Sequence, residues 1–499
     1  VLRRAIRYPN SAKDVTATTK DAFFKMYFAD HAVLNLRTIN PAQPDLGSFS
    51  KPIRADVPRY NPTRTFDTRT GSYFSAVGYY ALPGETFTVT RTDANSTKAA
   101  IFINSLREGS TQEMENYSRP KYMQSALMPL TKDQTLTITS PYGGPIQIWL
   151  DGTESTQSIA ITLTNVGQHP VWDGANTTTR FYDLLYQGDY DWAEFLTPGF
   201  QIHSRRALML ETLQDPDWDT PEKLANKTME NFYIANYNLA GFTGPALSLN
   251  TAVAAQCTAL GWVCTGRNPH GITSMNHFNA DQATCGYGCS GNPYDAWWSF
   301  SVLGWGDSHE MGHNIQALHV NNAAGSTVTG EVSNNVFPAY VVYRWNQQYP
   351  SRYRMASHLL EQDLFFGSLN DAQNTANPIS TASNSVWNGD NGTFRLSFYL
   401  QLIQQARTNP RVTLGNGGWD LITMLYMHDR LLHTYRADDT TWDTYKASLG
   451  MASYTRAEAN AIDNNSLFLV RASWILQTDE RPFFDLWGVS YNTKANAQV

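Results

Sequence analysis

The sequence has little charge, few cysteines and no long apolar run. Only 16% of its 499 residues are charged, 37 Lys and Arg against 44 Asp and Glu. A net charge of −7 leaves no basic surplus to neutralise a phosphate backbone, so nucleic acid is excluded as a partner. No stretch approaches the roughly 18 to 20 apolar residues needed to span a bilayer. The nearest, residues 336–343, is short and contains Pro338. The expectation is a soluble monomer without a membrane span. Val1-Leu2-Arg3-Arg4 offers neither an initiator Met nor an apolar signal core, which fits a removed targeting peptide or a start inside a longer chain.

The four cysteines, Cys257, Cys264, Cys285 and Cys289, are confined to residues 257–289. They lack the tight C-x-x-C pairs of a structural zinc site, which favours disulfides over a metal. Disulfides imply an oxidising compartment, hence secretion or a periplasmic route. Pairing of sequence neighbours, Cys257 with Cys264 and Cys285 with Cys289, is the first expectation among the three connectivities that four cysteines allow. What is abundant is aromatic: 13% of residues, with 14 Trp and 26 Tyr. That composition suits a sugar or peptide binder and excludes long disorder and coiled coil.

The patterning predicts an α+β multidomain chain. Residues 1–70 read as an N-terminal helical segment, at 21–36, and a proline-bearing linker. Residues 71–166 carry short alternating runs at 86–90, 100–103, 136–139, 146–150 and 158–163, separated by turn residues, as in an antiparallel β-sandwich. Residues 167–499 read as an α-rich domain, with helices expected over 221–237, 307–320, 330–348, 392–406, 419–432 and 456–467, and a surface loop over 370–391.

Within that half lies Trp305-Gly306-Asp307-Ser308-His309-Glu310-Met311-Gly312-His313. Positions four apart share a helix face, so His309 and His313 can offer two imidazoles to one cation with Glu310 beside them, the H-E-x-x-H zinc pattern. A catalytic zinc that keeps a water needs a third protein ligand. Glu331, opening the next expected helix after a loop, is preferred to His319, which lacks the glycine turn of the His-x-x-Gly-x-x-His alternative. One Zn²⁺ per chain would lower the pKa of bound water towards about 7, with Glu310 as general base, and amide hydrolysis follows as the reaction class. Gly312, costly inside a helix, implies close approach of another backbone or of substrate. Trp298, Trp305, Asp307, Asn314 and Arg395 are candidate substrate contacts. The competing readings are core packing for Trp298 and Trp305, a helix cap for Asp307 and an ion pair for Arg395. His270, His277, His358, His428 and His433 read as satisfied surface or core residues.

These residues resemble the enhancin-like, mucin-degrading zinc metallopeptidases, whose signature is H-E-x-x-H followed at variable distance by a Glu ligand. Residues 75–85, 141–148, 395–402 and 483–489 resemble further segments of that family, so the likeness runs from about 72 to 490. It implies a gluzincin-like α-rich catalytic domain and a secreted, virulence-associated O-glycopeptidase that reads a sugar on Ser or Thr and cuts the peptide bond on its N-terminal side. In the gluzincin pattern Glu-x-x-x-Asp, the chain has Glu331 then Asn335, and an Asn cannot supply the carboxylate that ordinarily braces a zinc histidine. Two rival functions remain open: a glycan-binding or adhesin module with a non-catalytic zinc site, and a general protease indifferent to glycans.

Overall fold

The computed structural model describes residues 14–36, 53–54, 56–68, 71–104, 116–117, 124–152, 157–244, 246–264, 269–272, 275–280, 287–320, 330–352, 354, 369, 371–387 and 392–499. The chain forms two compact units, Val1–Met229 with Thr273–Val302, and Glu230–Ile272 with Leu303–Val499.

The first unit contains the helix Lys20–Leu34, which buries Phe23, Met26, Ala29 and Val33 at helical spacing. Its β-sandwich has two four-stranded antiparallel sheets. One runs Thr63–Asp67, Ser158–Thr164, Thr86–Arg91, Thr135–Thr139 in spatial order; the other runs Gly71–Ala81, Gly144–Gly152, Lys98–Ile103, Met128–Pro129. Alternation decides which side chains meet. Phe87, Val89, Ile159, Ile161 and Leu163 from the first sheet join Val77, Ile101, Ile146 and Ile148 from the second in one buried core. The intervening threonines pair across strands on the outer face, Thr86 with Thr139 at 2.7 Å and Thr88 with Thr164 at 2.6 Å. The strand Thr63–Asp67 lies where the sequence suggested a linker, so the sandwich begins earlier than residue 71.

A larger correction concerns residues 167–302, expected to be α-rich. They contain a six-stranded mixed sheet ordered Gly288–Cys289, Tyr294–Ala296, Asn276–Ala280, Phe200–Arg205, Trp192–Leu196, Val171–Trp172. Residues 167–229 and 273–302 accordingly cluster with the sandwich instead of the helices. The strands escaped detection because their alternation is short and both faces are buried, polar Gln201, His203, His277 and Asn279 as well as apolar Phe200, Ile202, Phe278 and Ala280. Glu194, wholly buried, accepts from His169 at 2.9 Å, His203 at 2.8 Å and Gln147 at 2.6 Å, and His203 meets His277 at 3.0 Å. Burial raises the Glu194 pKa, but the two imidazoles outweigh it and hold the carboxyl well below its usual range.

The second unit is helical around one large hydrophobic cluster. Asp420–Tyr435 and Asn464–Leu476 are its most buried helices. Several expected helices are shorter or split. The segment at 307–320 stops at His313, 330–348 breaks between Gly330–Ser333 and Val336–Gln348, and 456–467 is two helices, because Asp463 caps the second through Ser466. In the expected loop at 370–391, helical turns at Pro378–Ala382 and Ser383–Trp387 bury Trp387. Cys257 is bonded to Cys264. Cys289 is also disulfide-bonded, and Cys285 lies outside the described residues. No helix among the described residues is long and apolar enough to cross a membrane.

Removing one member of a buried charged network strands the others. Glu194→Ala should therefore destabilise the first unit by about 3–5 kcal/mol; an unchanged urea midpoint would show that the network is not structural.

Candidate metal centre

The helix Trp305–His313 carries both histidines, and another segment packs closely on its last turn. Gly312 faces the turn at Asn334 and the helix Val336–Gln348: a Cβ there would lie 2.8 Å from the Phe337 ring and 3.0 Å from the Asn334 carbonyl. The close backbone approach read from Gly312 is thus present, and it is what brings the following segment back across the histidines. Glu331, in the turn Gly330–Ser333, then places Oε2 at 3.0 Å from His309 Nε2 and 3.2 Å from His313 Nε2. The ligand-type atoms of His309, His313 and Glu331 all lie within 4.8 Å of one another, the one such group among the described residues. His319 is not part of it.

The donor atoms suit a cation. With zinc-type bonds of about 2.0–2.1 Å, the edge of a tetrahedron is about 3.3 Å, close to the two separations found. Hydrogen bonding at the far side of each ring points the same way. His309 Nδ1 lies 2.8 Å from the Asn335 amide oxygen, and His313 Nδ1 lies 3.2 Å from that of Gln316. In that arrangement each Nδ1 donates, and each neutral ring turns an Nε2 lone pair towards the same carboxylate oxygen. Lone pairs facing an anion repel unless a positive charge stands between them. Asn334 Nδ2 also meets His313 Nε2, at 2.9 Å.

The other protonation state sets the alternative. With protons on Nε2 the imidazoles donate to Glu331, and those hydrogen bonds hold its carboxyl well below the usual carboxylate range. Burial works against a proton on His313, yet hydrogen bonding to Glu331 and the charges of Glu331 and Glu310 raise its pKa overall. Glu310 itself is 7% exposed on the same helix. It is near enough for its charge to act on His313, and it is not one of the three converging residues.

The accessory residues fare unequally. Asp307 and Arg395 are each 1% exposed, turned into the fold instead of outward to a sugar. Asp307 is not the helix cap either, since that position is Gly304. Arg395 donates Nε to the Val386 carbonyl. Trp305 packs against the core, and its indole N–H donates to Asn335 Oδ1 at 2.8 Å. Asn314 is exposed at the end of the ligand helix. Trp298 is half-buried in the first unit, where it makes an aromatic cluster with the exposed Trp297 and Tyr287 at 5.5–6.5 Å. His270, His277 and His428 are buried and hydrogen-bonded, as expected of core histidines; His358 lies outside the described residues.

Sequence reading doubted the bracing of the ligands, and that is the main correction: amides perform it. It missed two hydrogen-bond partners, Gln316 of His313 and Asn335 of His309. Both carried a usable signal, standing three residues after His313 and four after Glu331.

Comparison with known proteins gives a consistent picture. Residues 267–488 match the family Peptidase M60, enhancin and enhancin-like, and residues 54–164 match the N-terminal domain of M60-like peptidases. The chain is 30% identical over 526 residues to the Immunomodulating metalloprotease of Pseudomonas aeruginosa, aligning along 100% of its own length and 54% of that protein's. The structure of IMPa metallopeptidase in complex with T-antigen superposes with a TM-score of 0.79 at 29% identity, covering 100% of this chain and 57% of that one. The M60 catalytic domain from Clostridium perfringens ZmpC, in complex with the sialyl T antigen, shares the fold at a TM-score of 0.55 and 13% identity, over 88% of this chain and 79% of its own.

A methyl group at Gly312 should wedge the two ligand-bearing segments apart. Gly312→Ala is expected to cost about 1–3 kcal/mol in thermal or chemical denaturation, the usual penalty of overpacking, and an unperturbed stability would mean that the return segment yields freely.

Proposed function

The chain belongs to the peptidase M60 family, enhancin and enhancin-like, and from that premise we propose that it is a secreted zinc endopeptidase of gluzincin type. Its substrates are O-glycosylated, mucin-type proteins, cut next to a glycosylated Ser or Thr. The observation that carries this reading is the convergence of His309, His313 and Glu331 on one point beside Glu310. His309 and His313 would hold one Zn²⁺ through Nε2 and Glu331 through Oε2. When bound, the ion supplies Lewis-acid polarisation of the scissile carbonyl.

The rest of the chemistry belongs to the chain. Glu310 takes the proton of the attacking water and returns it to the leaving amine, one carboxylate serving as base and then as acid. Its burial keeps bulk water from competing for that proton. Glycan recognition is supported by the relatives, whose structures include IMPa in complex with an O-glycopeptide and with T-antigen. On this chain, Asn314, exposed at the end of the helix that carries His309 and His313, offers an amide to a sugar. A role in host interaction, action as a monomer and secretion complete the reading; the Cys257–Cys264 bond supports an oxidising destination.

Incubation with a mucin-type glycoprotein, before and after glycan removal, followed by mass spectrometry, tests this. The parent protein should release fragments that begin at a glycosylated Ser or Thr. Glu310→Gln should retain metal and lose cleavage by about 10²–10⁴-fold. Binding without fragments would establish an adhesin instead, and equal cutting of the deglycosylated substrate would establish a protease indifferent to sugar.

A further inference from the structure

Asn335 makes three hydrogen bonds that only a neutral amide can make together. Its Oδ1 accepts from His309 Nδ1 at 2.8 Å and from the Trp305 indole N–H at 2.8 Å, and its Nδ2 donates to the Glu331 backbone carbonyl at 2.8 Å. Asn O and N are nearly indistinguishable by shape and must be assigned from their partners. Here the partners settle it: an indole N–H only donates and a backbone carbonyl only accepts. The amide oxygen must therefore face Trp305 and His309. That in turn requires His309 Nδ1 to carry the proton and leaves the Nε2 lone pair free to face the metal position.

From this geometry we propose that Asn335 is the positioning residue of the centre and Trp305 is the lock on its orientation. The indole chooses which end of the amide faces His309, the amide chooses the imidazole tautomer, and the same side chain tethers the backbone of the third ligand. This rests on the metallopeptidase reading and extends it. It also accounts for an asparagine where a carboxylate would be expected. An aspartate would bind His309 more strongly, but it would turn its second oxygen onto the Glu331 carbonyl and lose that tether. Gln316 repeats the scheme at His313, with Oε1 towards the ring and Nε2 donating to the Gly330 carbonyl and to Ser333 Oγ.

The test is a set of zinc affinities, measured by chelator competition, together with Co²⁺ visible spectra, on the parent, Asn335→Ala, Asn335→Asp, Trp305→Phe and the Trp305→Phe/Asn335→Asp double variant, each first checked for a folded thermal transition. Asn335→Ala should weaken binding about 10–100-fold, the usual effect of losing an outer partner. Asn335→Asp should also weaken it, despite the added charge. Trp305→Phe should cost about 3–10-fold in the parent, the worth of one hydrogen bond. In the Asn335→Asp background it should cost almost nothing, because a carboxylate has no orientation to choose. An equal cost of Trp305→Phe in both backgrounds, or zinc binding by Asn335→Asp as tight as the parent's, would overturn the proposal. Should Asn335→Asp not fold, Trp305→Phe alone decides, since unchanged affinity there removes the lock. A parent that takes up neither zinc nor Co²⁺ would defeat the metallopeptidase reading itself, a different and separable result.

Discussion

Two imidazoles and one carboxylate converging on a common point impose most of what is distinctive in the helical unit. The histidines come from one short helix, but the acid comes from a separate turn, and the chain must fold back tightly to deliver it. That return sets hard local conditions: a residue without a side chain at Gly312, aromatic packing by Phe337, and amides that span from one segment to the other. None of these groups would be demanded by a helical core alone. Together they hold three potential metal-binding side chains within 4.8 Å of one another.

The other unit solves a different problem. Its sandwich is built on ordinary alternation, with aliphatic side chains inward and a threonine lattice outward. Its mixed sheet instead encloses a carboxylate and three histidines, bonded in series and closed over by Phe74 stacked on His277 at 3.6 Å. Such a chain of charged-capable groups is stable only when every link is made, so it specifies one arrangement of those strands and penalises others.

Legibility in the sequence followed the strength of the periodic signal. His309 and His313 were readable because a helix enforces a four-residue repeat, and the sandwich strands because a pleat enforces a two-residue one. The strands around Glu194 were not readable: they are short, polar residues are buried among the apolar ones, and what satisfies those polar groups lies on neighbours distant in the chain. Helix ends were misjudged at His313, where the helix stops before the expected apolar residues beyond it, and at Asp463, where a cap starts a second helix. For the accessory residues, residue type alone overstated exposure. Asp307 and Arg395 have the chemistry to greet a sugar, but the fold spends both inside, while the more exposed aromatic rings lie at Trp297 and Tyr287.

The acidic ligand is unlike its two partners in one respect: the Glu331 side chain is 71% exposed, against 19% and 17% for His309 and His313. The carboxylate is therefore the part of this group that meets solvent most freely, while the two imidazoles are held mostly within the fold.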